Sequence, residues 1–510
     1  MRVQSRESRV QSVVLSPSSA QGVAQCPNSP PARDPRLSTL DPSPAGFTLV
    51  EMLVSVALVV LMMSMFATIF QQMTSATGKH RGIAENDQRA RSVITVLRAD
   101  LDKRTFRNLI PYRHLELPTD EPPIPFSNRK GYFYISENDP DDDSDDVLQF
   151  TVDAKISFGN SDKSPYYGRA LSLGNLLTNP NQPEADDGQI DPDGTSVSVA
   201  AEISYFLRGG RLYRRVLLIR KPLSLPEITS DQPKDQAGNS YFDGIYMGNF
   251  WRDFDFSAYY DDSVPGAKFN GIGSLDNGSG TGTTPLANPR NRFGHDHDEG
   301  QPREFVDSPG PDGIFGTADD VNQGAFLGRF THEETSFHID DGDDICEAGE
   351  DVFNYPHGES VSGGALLGNP MDPGIDLIMD SNGVVVQFRG GSRRAEDLLL
   401  ANVHSFDVKV WDEPLGLFMD VGHDTAGGDF NQSEKNKNDV YGPGGATGNK
   451  VFDTWHPGLT INGDSLPPFR PEDDDGNGKP LQAIQITIQF LDVSSGQLRQ
   501  VTLQHSLTGD

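Results

Sequence analysis

The chain has 510 residues, 35% of them hydrophobic, and its 42 basic and 74 acidic residues give a formal net charge of −32. This length is usual for about two to four domains, and the 52 glycines and 36 prolines predict that much of it is loop. So acidic a composition argues against nucleic acid or anionic lipid as a partner, because both are recognised through basic surface.

The first predicted element is an apolar run at 47–70, directly after Gly46. An apolar helix of about 20 residues spans the ~30 Å hydrocarbon core of a bilayer, so this run predicts a membrane-spanning helix. Its one charged residue is Glu51. An acid at the bilayer centre costs roughly 2.5–3.5 kcal/mol, and no lysine or arginine within 47–70 pairs with it.

A new chain terminus would supply the missing positive charge. Cleavage between Gly46 and Phe47 leaves an α-amine four residues before Glu51. If subunits stack side by side with an axial offset, the amine of one subunit neutralises Glu51 of the next. Charge attraction would then set the register of an apolar helical bundle.

The residues GFTLVE at 46–51, joined to the apolar run, resemble the type III signal of type IV pilins and type II secretion pseudopilins. This resemblance implies a leader peptide over 1–46, cleavage after Gly46 by a prepilin peptidase and methylation of Phe47. It also makes Glu51 the assembly residue. The leader is long, and Ala45 stands where the family commonly has a basic residue. The alternative is an ordinary signal anchor in which Glu51 is incidental.

A second, soluble half of the same helix is predicted over 71–110. No proline occurs between Pro44 and Pro111, which permits one continuous helix. Apolar residues then recur on one face, as expected for a helix that packs on a globular head. They are Ile83, Ala90, Ile94, Leu97 and Leu101.

After Pro111 the pattern changes to short β-like runs between turn residues. Arg208-Gly209-Gly210 predicts a tight hairpin turn between two of them. The predicted strands are Gly131–Ser136, Val147–Val152, Val197–Leu207, Arg211–Ile219, Leu398–Trp411, Ala483–Leu491 and Gln497–Leu507.

The order of these elements resembles the J-type minor pseudopilin of type II secretion, and equally the W-type minor pilin of type IV pili. The similarity covers 47–222 and 396–510 in segments. It implies an α+β fold, in which the long helix packs on an antiparallel β-sheet head. The head would be formed by 111–222 and 396–510, and the Gly/Asp/Pro-rich stretch 223–395 would be a large loop-rich insertion into it.

By this resemblance the chain is a minor pseudopilin subunit that assembles through its N-terminal helix into a short periplasmic filament for protein export. It would be a single-pass protein of the bacterial inner membrane with its head in the periplasm. Its partners would be the prepilin peptidase and the apolar helices of other pseudopilins. Two alternatives stay open: a W-type minor pilin of a type IV pilus, and a pilin-anchored calcium-dependent extracellular binding protein.

No motif predicts an enzyme. The sequence contains no G-x-S-x-G nucleophile, P-loop or dinucleotide-binding fingerprint. Of the two cysteines, Cys26 would leave with the leader, so Cys346 would have no partner for an intrachain disulfide.

Four acidic clusters are candidate sites for a hard cation such as calcium, which takes six to eight oxygen ligands. Solvated acidic turns without an ion are the alternative for each of them. The clusters are Asp139–Asp146, Asp312–Asp320, Asp340–Asp351 and Asp473–Asn477.

The last cluster matches best, because Asp473, Asp475 and Asn477 take positions one, three and five of an EF-hand-like loop. Position twelve is Ile484 instead of glutamate. The second-best loop offers Asp312, Asp319 and Asp320.

Two further clusters each have a structural and a functional interpretation. The stretch 295–299, HDHDE, is the only one with transition-metal ligands at close spacing, and we expect a polar surface loop there. The aromatic residues within 249–260 suit either a binding strip or the core of a strand, and we expect core.

Overall fold

The structure is a computed structural model of the chain. It describes residues 46–111, 130–156, 163–170, 195–220, 250–252, 254–260, 267–275, 286–295, 300, 302–306, 325–337, 353, 355, 370–371, 377–431, 450–454, 469, 471–473, 475, 477–493 and 495–508. The chain divides into two units, Met1–Gln72 and Met73–Asp510.

The first element is a helix, α1, at Leu49–Asp102. Within the second unit its buried face is formed by Ala90, Val93, Leu97 and Leu101, whose spacing of three, four and four residues is that of one helix stripe. These side chains belong to the main hydrophobic core. The expected stripe is therefore confirmed at Ala90, Leu97 and Leu101, with Val93 at its centre.

Two antiparallel sheets form most of the remaining regular structure. The larger has six strands, in the order β12 (Val451–Asp453), β1 (Phe133–Ser136), β2 (Val147–Asp153), β5 (Ala200–Arg208), β6 (Arg211–Ile219) and β9 (Leu398–Ala401). The smaller has four, in the order β11 (Leu417–Met419), β10 (Val403–Asp412), β13 (Ala483–Asp492) and β14 (Gln497–Ser506). Two two-stranded sheets complete the set among the described residues: β3 (Tyr166–Arg169) with β4 (Thr195–Ser198), and β7 (Ala258–Tyr260) with β8 (Ala267–Phe269). An N-terminal helix followed by antiparallel sheets is compatible with the expected α+β class.

A one-turn α-helix lies at His332–Thr335, and 3₁₀ turns lie at Ala154–Ile156, Ile272–Leu275, Pro289–Asn291 and Val386–Phe388.

The β5–β6 hairpin has the turn that Arg208-Gly209-Gly210 predicts. Gly209 and Gly210 have φ of +57° and +70°, the left-handed pair of a two-residue hairpin loop. Arg208 and Arg211 are the last paired residues on either side. A Cβ on Gly209 would lie 2.9 Å from the carbonyl oxygen of Asn382, so this glycine also permits a close backbone approach.

Two of the predicted strands are each divided in the structure. The run Val197–Leu207 separates at Val199 into the end of β4, which pairs with β3, and β5 of the larger sheet. The run Leu398–Trp411 separates at Asn402, whose φ is +58°. Its first part, β9, joins the larger sheet and its second part, β10, joins the smaller one. The chain changes sheets at both breaks.

The aromatic side chains that the structure describes within 250–259 are buried, as expected. Phe250, Trp251 and Phe254 are fully buried, and the Trp251 indole donates a hydrogen bond to the carbonyl of Tyr355. The expectation of a polar surface loop at 295–299 is wrong for His295, which is buried edge-on against Tyr134 at 5.3 Å between ring centroids. Residues 296–299 lie outside the described ones.

Buried ion pairs tie described parts of 223–395 to the strands of the head. Arg208 at the end of β5 pairs with Glu334, and Arg292 pairs with Asp453 of β12, each at 2.7 Å. Removal of one member of such a pair leaves a buried charge without compensation, which costs about 3–5 kcal/mol. These parts of the stretch are therefore integrated into the fold of the second unit.

Candidate functional site

The first candidate site is the exposed apolar segment of α1. Among the described residues, one helical stretch is long and apolar enough to cross a membrane, Leu49–Thr74. Its 26 residues rise about 39 Å, more than the ~30 Å of a hydrocarbon core. None of its most apolar window is buried in the structure, so it is not a core helix of the described protein. The finding is compatible with a single-pass membrane protein.

The residues at the proposed cleavage position are accessible. Phe47 is 80% exposed. A Cβ on Gly46 would meet no atom within 4 Å, and its φ lies outside the left-handed region. Among the described residues, none would contact a side chain at position 46.

Glu51 has a hydrogen-bonding role within its own chain. Its Oε2 accepts from the Thr48 backbone N–H at 3.0 Å and from the Thr48 hydroxyl at 2.9 Å. In return the Glu51 backbone N–H donates to the Thr48 hydroxyl at 3.3 Å. This reciprocal pattern is a capping box that begins α1, and its Thr-x-x-Glu spacing is readable in the sequence. The charge-based interpretation of Glu51 missed it.

Both side-chain bonds to Glu51 use Oε2. No described residue donates a hydrogen bond to its other oxygen, Oε1. The cap also needs only the N–H and hydroxyl of Thr48, which stay in place if the chain is cut before Phe47. Glu51 can therefore cap its own helix and still offer one oxygen to a second group.

The hydroxyl groups of the apolar segment are satisfied inside the helix. Ser55 donates to the carbonyl of Met52 at 2.9 Å, and Ser64 donates to that of Leu61 at 2.8 Å. Hydroxyls bonded in this way add little cost in hydrocarbon, where each unsatisfied polar group costs several kcal/mol. Glu51 remains the only ionisable side chain of the segment.

At the other end of α1, a buried acid joins the helix to the larger sheet. Asp100 accepts hydrogen bonds from the hydroxyls of Tyr166 and Tyr205 and from two nitrogens of Arg214, at 2.8 and 3.0 Å. Burial, followed by the Asp100 charge, raises the pKa of both tyrosines. The sequence carries a signal for this contact, because Asp100 is seven residues after Val93 and three after Leu97, on the buried stripe.

The best calcium loop predicted from the sequence is a closed turn. Asp473 Oδ1 accepts from the backbone N–H groups of Asp475 and Asn477, and its Oδ2 accepts from the Asn477 side chain. These bonds hold the pKa of Asp473 below its usual range. The three residues are exposed, and they come together as the spacing predicts. Ion binding at this loop stays a prediction. The residues of the second predicted loop, Asp312, Asp319 and Asp320, lie outside the described residues.

A different acidic cluster has the closest grouping of carboxylates. Among the described residues, Glu137, Asp145 and Asp146 form the one set of three or more possible metal ligands within 4.8 Å of one another. All three are buried. Burial and neighbouring acids raise the pKa of Asp145 to about 8, and burial also raises that of Glu137 and of Asp146. The sequence pointed to the acidic run Asp139–Asp146, but not to the participation of Glu137.

Comparison of the chain with protein-family models, with curated proteins and with solved structures finds no match.

Proposed function

We propose that the chain is a minor pseudopilin subunit of a type II secretion system, which assembles through α1 into a short periplasmic filament. The observation that carries this proposal is the apolar segment at Leu49–Thr74, none of whose most apolar window is buried and in which Glu51 is the only ionisable side chain. An apolar surface of this size needs a bilayer or other apolar helices around it.

Glu51 supports the assembly step. Its Oε1 has no donor among the described residues, and a carboxylate in an apolar bundle requires a positive partner. The α-amine of a processed Phe47 on a neighbouring subunit is a group of the right charge. One glutamate then both begins its own helix and sets the axial register of the next subunit.

Gly46 supports the processing step. In the described part of the chain, a Cβ at this position would meet no atom within 4 Å. A glycine in such open space is free to serve recognition by a prepilin peptidase.

The attachment of α1 to the head supports a mechanical role. Leu97 and Leu101 are buried in the core, and Asp100 is bonded to two strands through Tyr205 and Arg214. A helix held in this way transmits axial movement to the head instead of separating from it. The subunit would contribute packing and movement to the filament, with no chemical step of its own.

Co-expression of the full chain with a prepilin peptidase tests the proposal directly. The expected product, measured by intact mass and N-terminal fragmentation, lacks residues 1–46 and begins with N-methyl-Phe47. Gly46→Ala is expected to leave the chain folded and uncut, because the Cβ meets no atom. Thr48→Ser, which keeps the cap, is the matched control and is expected to be cut normally. A mature species that begins at any other residue contradicts the proposal.

A further inference from the structure

The loop between β1 and β2 brings three carboxylates to one point. Glu137 directly follows β1, and Asp145 and Asp146 directly precede β2, so the hairpin places them side by side. Their ligand atoms lie within 4.8 Å of one another, and the residues are 3%, 4% and 1% exposed. The acids at the tip of the same loop, from Asp139 to Asp143, are exposed. The buried group is therefore distinct from an ordinary solvated acidic turn.

Each of the three carboxylates has a buried oxygen that no donor reaches. In the described part of the chain, Glu137 Oε2, Asp145 Oδ1 and Asp146 Oδ1 accept no hydrogen bond from an N–H or O–H group. The Glu137 and Asp146 carboxyl groups lie within hydrogen-bonding reach of each other, and two ionised carboxylates at that distance repel unless a proton or a cation lies between them. A buried ionised group without a partner costs several kcal/mol, so this arrangement demands a positive charge or a proton.

The neighbouring lysines do not provide that charge. The ammonium of Lys409 is bonded to Asp407 at 2.9 Å and to Asp420 at 2.6 Å. Lys450 lies 3.9 Å from Asp139, at the exposed part of the loop. Across the described ranges, no lysine, arginine or histidine forms an ion pair with any of the three carboxylates.

Backbone hydrogen bonds attach the β1–β2 loop to its neighbours, and one of them reaches a carboxylate of the group. The Val408 N–H donates to Asp146 Oδ2 at 2.6 Å, and the Phe406 N–H donates to the carbonyl of Asp143 at 2.8 Å. The Glu137 N–H donates to the carbonyl of Lys450, the residue before β12, at 2.8 Å. The loop is thus attached to β10 of the smaller sheet and to the chain entering β12 of the larger one. These bonds fix the backbone of the loop, and the bond to Val408 also fixes the Asp146 carboxylate.

We propose that Glu137, Asp145 and Asp146 bind one calcium ion at the base of the β1–β2 loop, beside β10. Oxygen is the only ligand type present, and it is the type that hard divalent cations take. Three carboxylates whose ligand atoms lie within 4.8 Å of one another are close enough to share one ion. Calcium accepts flexible sets of six to eight oxygens, whereas magnesium demands near-ideal octahedral geometry and usually keeps several waters, so a dedicated group of protein carboxylates favours calcium.

The experiment uses the purified full chain in detergent micelles, stripped of metal with a chelator. Calcium is titrated by calorimetry, and thermal unfolding is followed by intrinsic fluorescence. Saturating calcium is expected to raise the Tm by about 2–4 °C, because a ligand that binds only the folded state stabilises it. Magnesium at the same concentration is expected to give a clearly smaller shift.

The variants Glu137→Gln and Asp145→Asn separate loss of binding from loss of folding. Both preserve shape and remove a repulsive charge, so in chelator their Tm is expected to equal or exceed that of the parent chain. Calcium binding should weaken at least about tenfold, and the calcium-dependent rise in Tm should disappear. Asp141→Asn, an exposed acid of the same loop, is the matched control and should keep the full response.

Measurements on an Asp473→Asn background remove any contribution from the exposed loop at 473–477. An unchanged Tm in excess calcium overturns the proposal and leaves Glu137 and Asp146 as a carboxyl pair that shares a proton. A calcium response that survives in both variants also overturns it, and an equal response to magnesium contradicts the assignment to calcium. None of these results depends on processing at Gly46, so this test and that of the proposed function fail separately.

Discussion

Thr48 and Glu51 form the start of α1, and Glu51 is also the residue for which a role between subunits is proposed. The capping box satisfies the orphan donors that begin α1, and it uses one oxygen of Glu51. The other oxygen has no described donor, and it carries charge into an otherwise apolar segment. A local role in folding and a role between subunits are therefore both available to the same carboxylate.

Substitutions at these two positions separate the roles. Glu51→Gln keeps the cap, because glutamine serves at this position of a capping box, but it removes the charge. Thr48→Ala removes the cap, at a cost of about 1 kcal/mol to the helix start, but keeps the charge. If charge pairing drives assembly, Glu51→Gln and Glu51→Leu should both lose at least about tenfold in incorporation, whereas Thr48→Ala should incorporate normally. Crosslinking of subunits in isolated filaments measures the incorporated fraction.

Normal incorporation of Glu51→Gln, together with loss in Thr48→Ala, would reverse this interpretation. Glu51 would then act as a helix cap, and the positive charge of a processed terminus would not be its partner.

At the scale of elements, the contact between α1 and the larger sheet is what attaches the helix to the rest of the second unit. The side chains of Val93, Leu97 and Leu101 bury apolar surface against the core. Asp100 fixes the orientation of the helix on the sheet through its hydrogen bonds to Tyr205 and Arg214. A second acid of the helix, Asp87, reaches Arg499 of β14 at 2.9 Å. The two pairs differ mainly in exposure, because the Asp100 side chain is 4% exposed and that of Asp87 is 41% exposed.

That difference predicts unequal contributions to stability. Asp100→Asn is expected to lower the free energy of unfolding by about 2–4 kcal/mol, since it leaves Arg214 without its charge partner and weakens two tyrosine hydrogen bonds. Asp87→Asn should change it by about 0.5 kcal/mol or less, as is usual for an exposed pair. Urea unfolding followed by tryptophan fluorescence gives both values. Equal losses in the two variants would show that Asp100 is not the stronger connection.

At the scale of the whole molecule, the chain divides into two units of different character. Most of the apolar segment Leu49–Thr74 belongs to Met1–Gln72, and none of its most apolar window is buried. Met73–Asp510 contains the sheets, the hydrophobic core and the buried ion pairs. Because the core is complete without the apolar segment, the second unit is expected to be stable in water.

A chain that begins at Met73 tests this division. In a detergent phase-separation assay it should stay in the aqueous phase, whereas the full chain should enter the detergent phase because its exposed apolar helix is transferred out of water. Thermal unfolding of the shortened chain should remain cooperative. Recovery of the full chain in the aqueous phase would contradict a membrane-spanning segment.

Local interactions made much of this architecture readable in the sequence. The apolar run, the continuous helix, the alternating strand Ala483–Leu491 and the glycine turn of the β5–β6 hairpin each depend on residues close in the chain. The capping box of Glu51 is equally local, because the Thr-x-x-Glu spacing at 48–51 is enough to predict it. An interpretation based only on the charge of Glu51 does not reveal it. Whether α1 enters a filament stays a prediction.

Only the tertiary structure shows the features that depend on contacts between residues far apart in the sequence. The breaks at Val199 and Asn402 occur because the chain changes sheets there, which alternation of side chains does not reveal. The burial of Asp100, and of Glu137 beside Asp145 and Asp146, arises because strands far apart in sequence close over these acids. A sequence shows that a residue is charged, but only the fold shows whether water reaches it, and that access determines which acids require a partner.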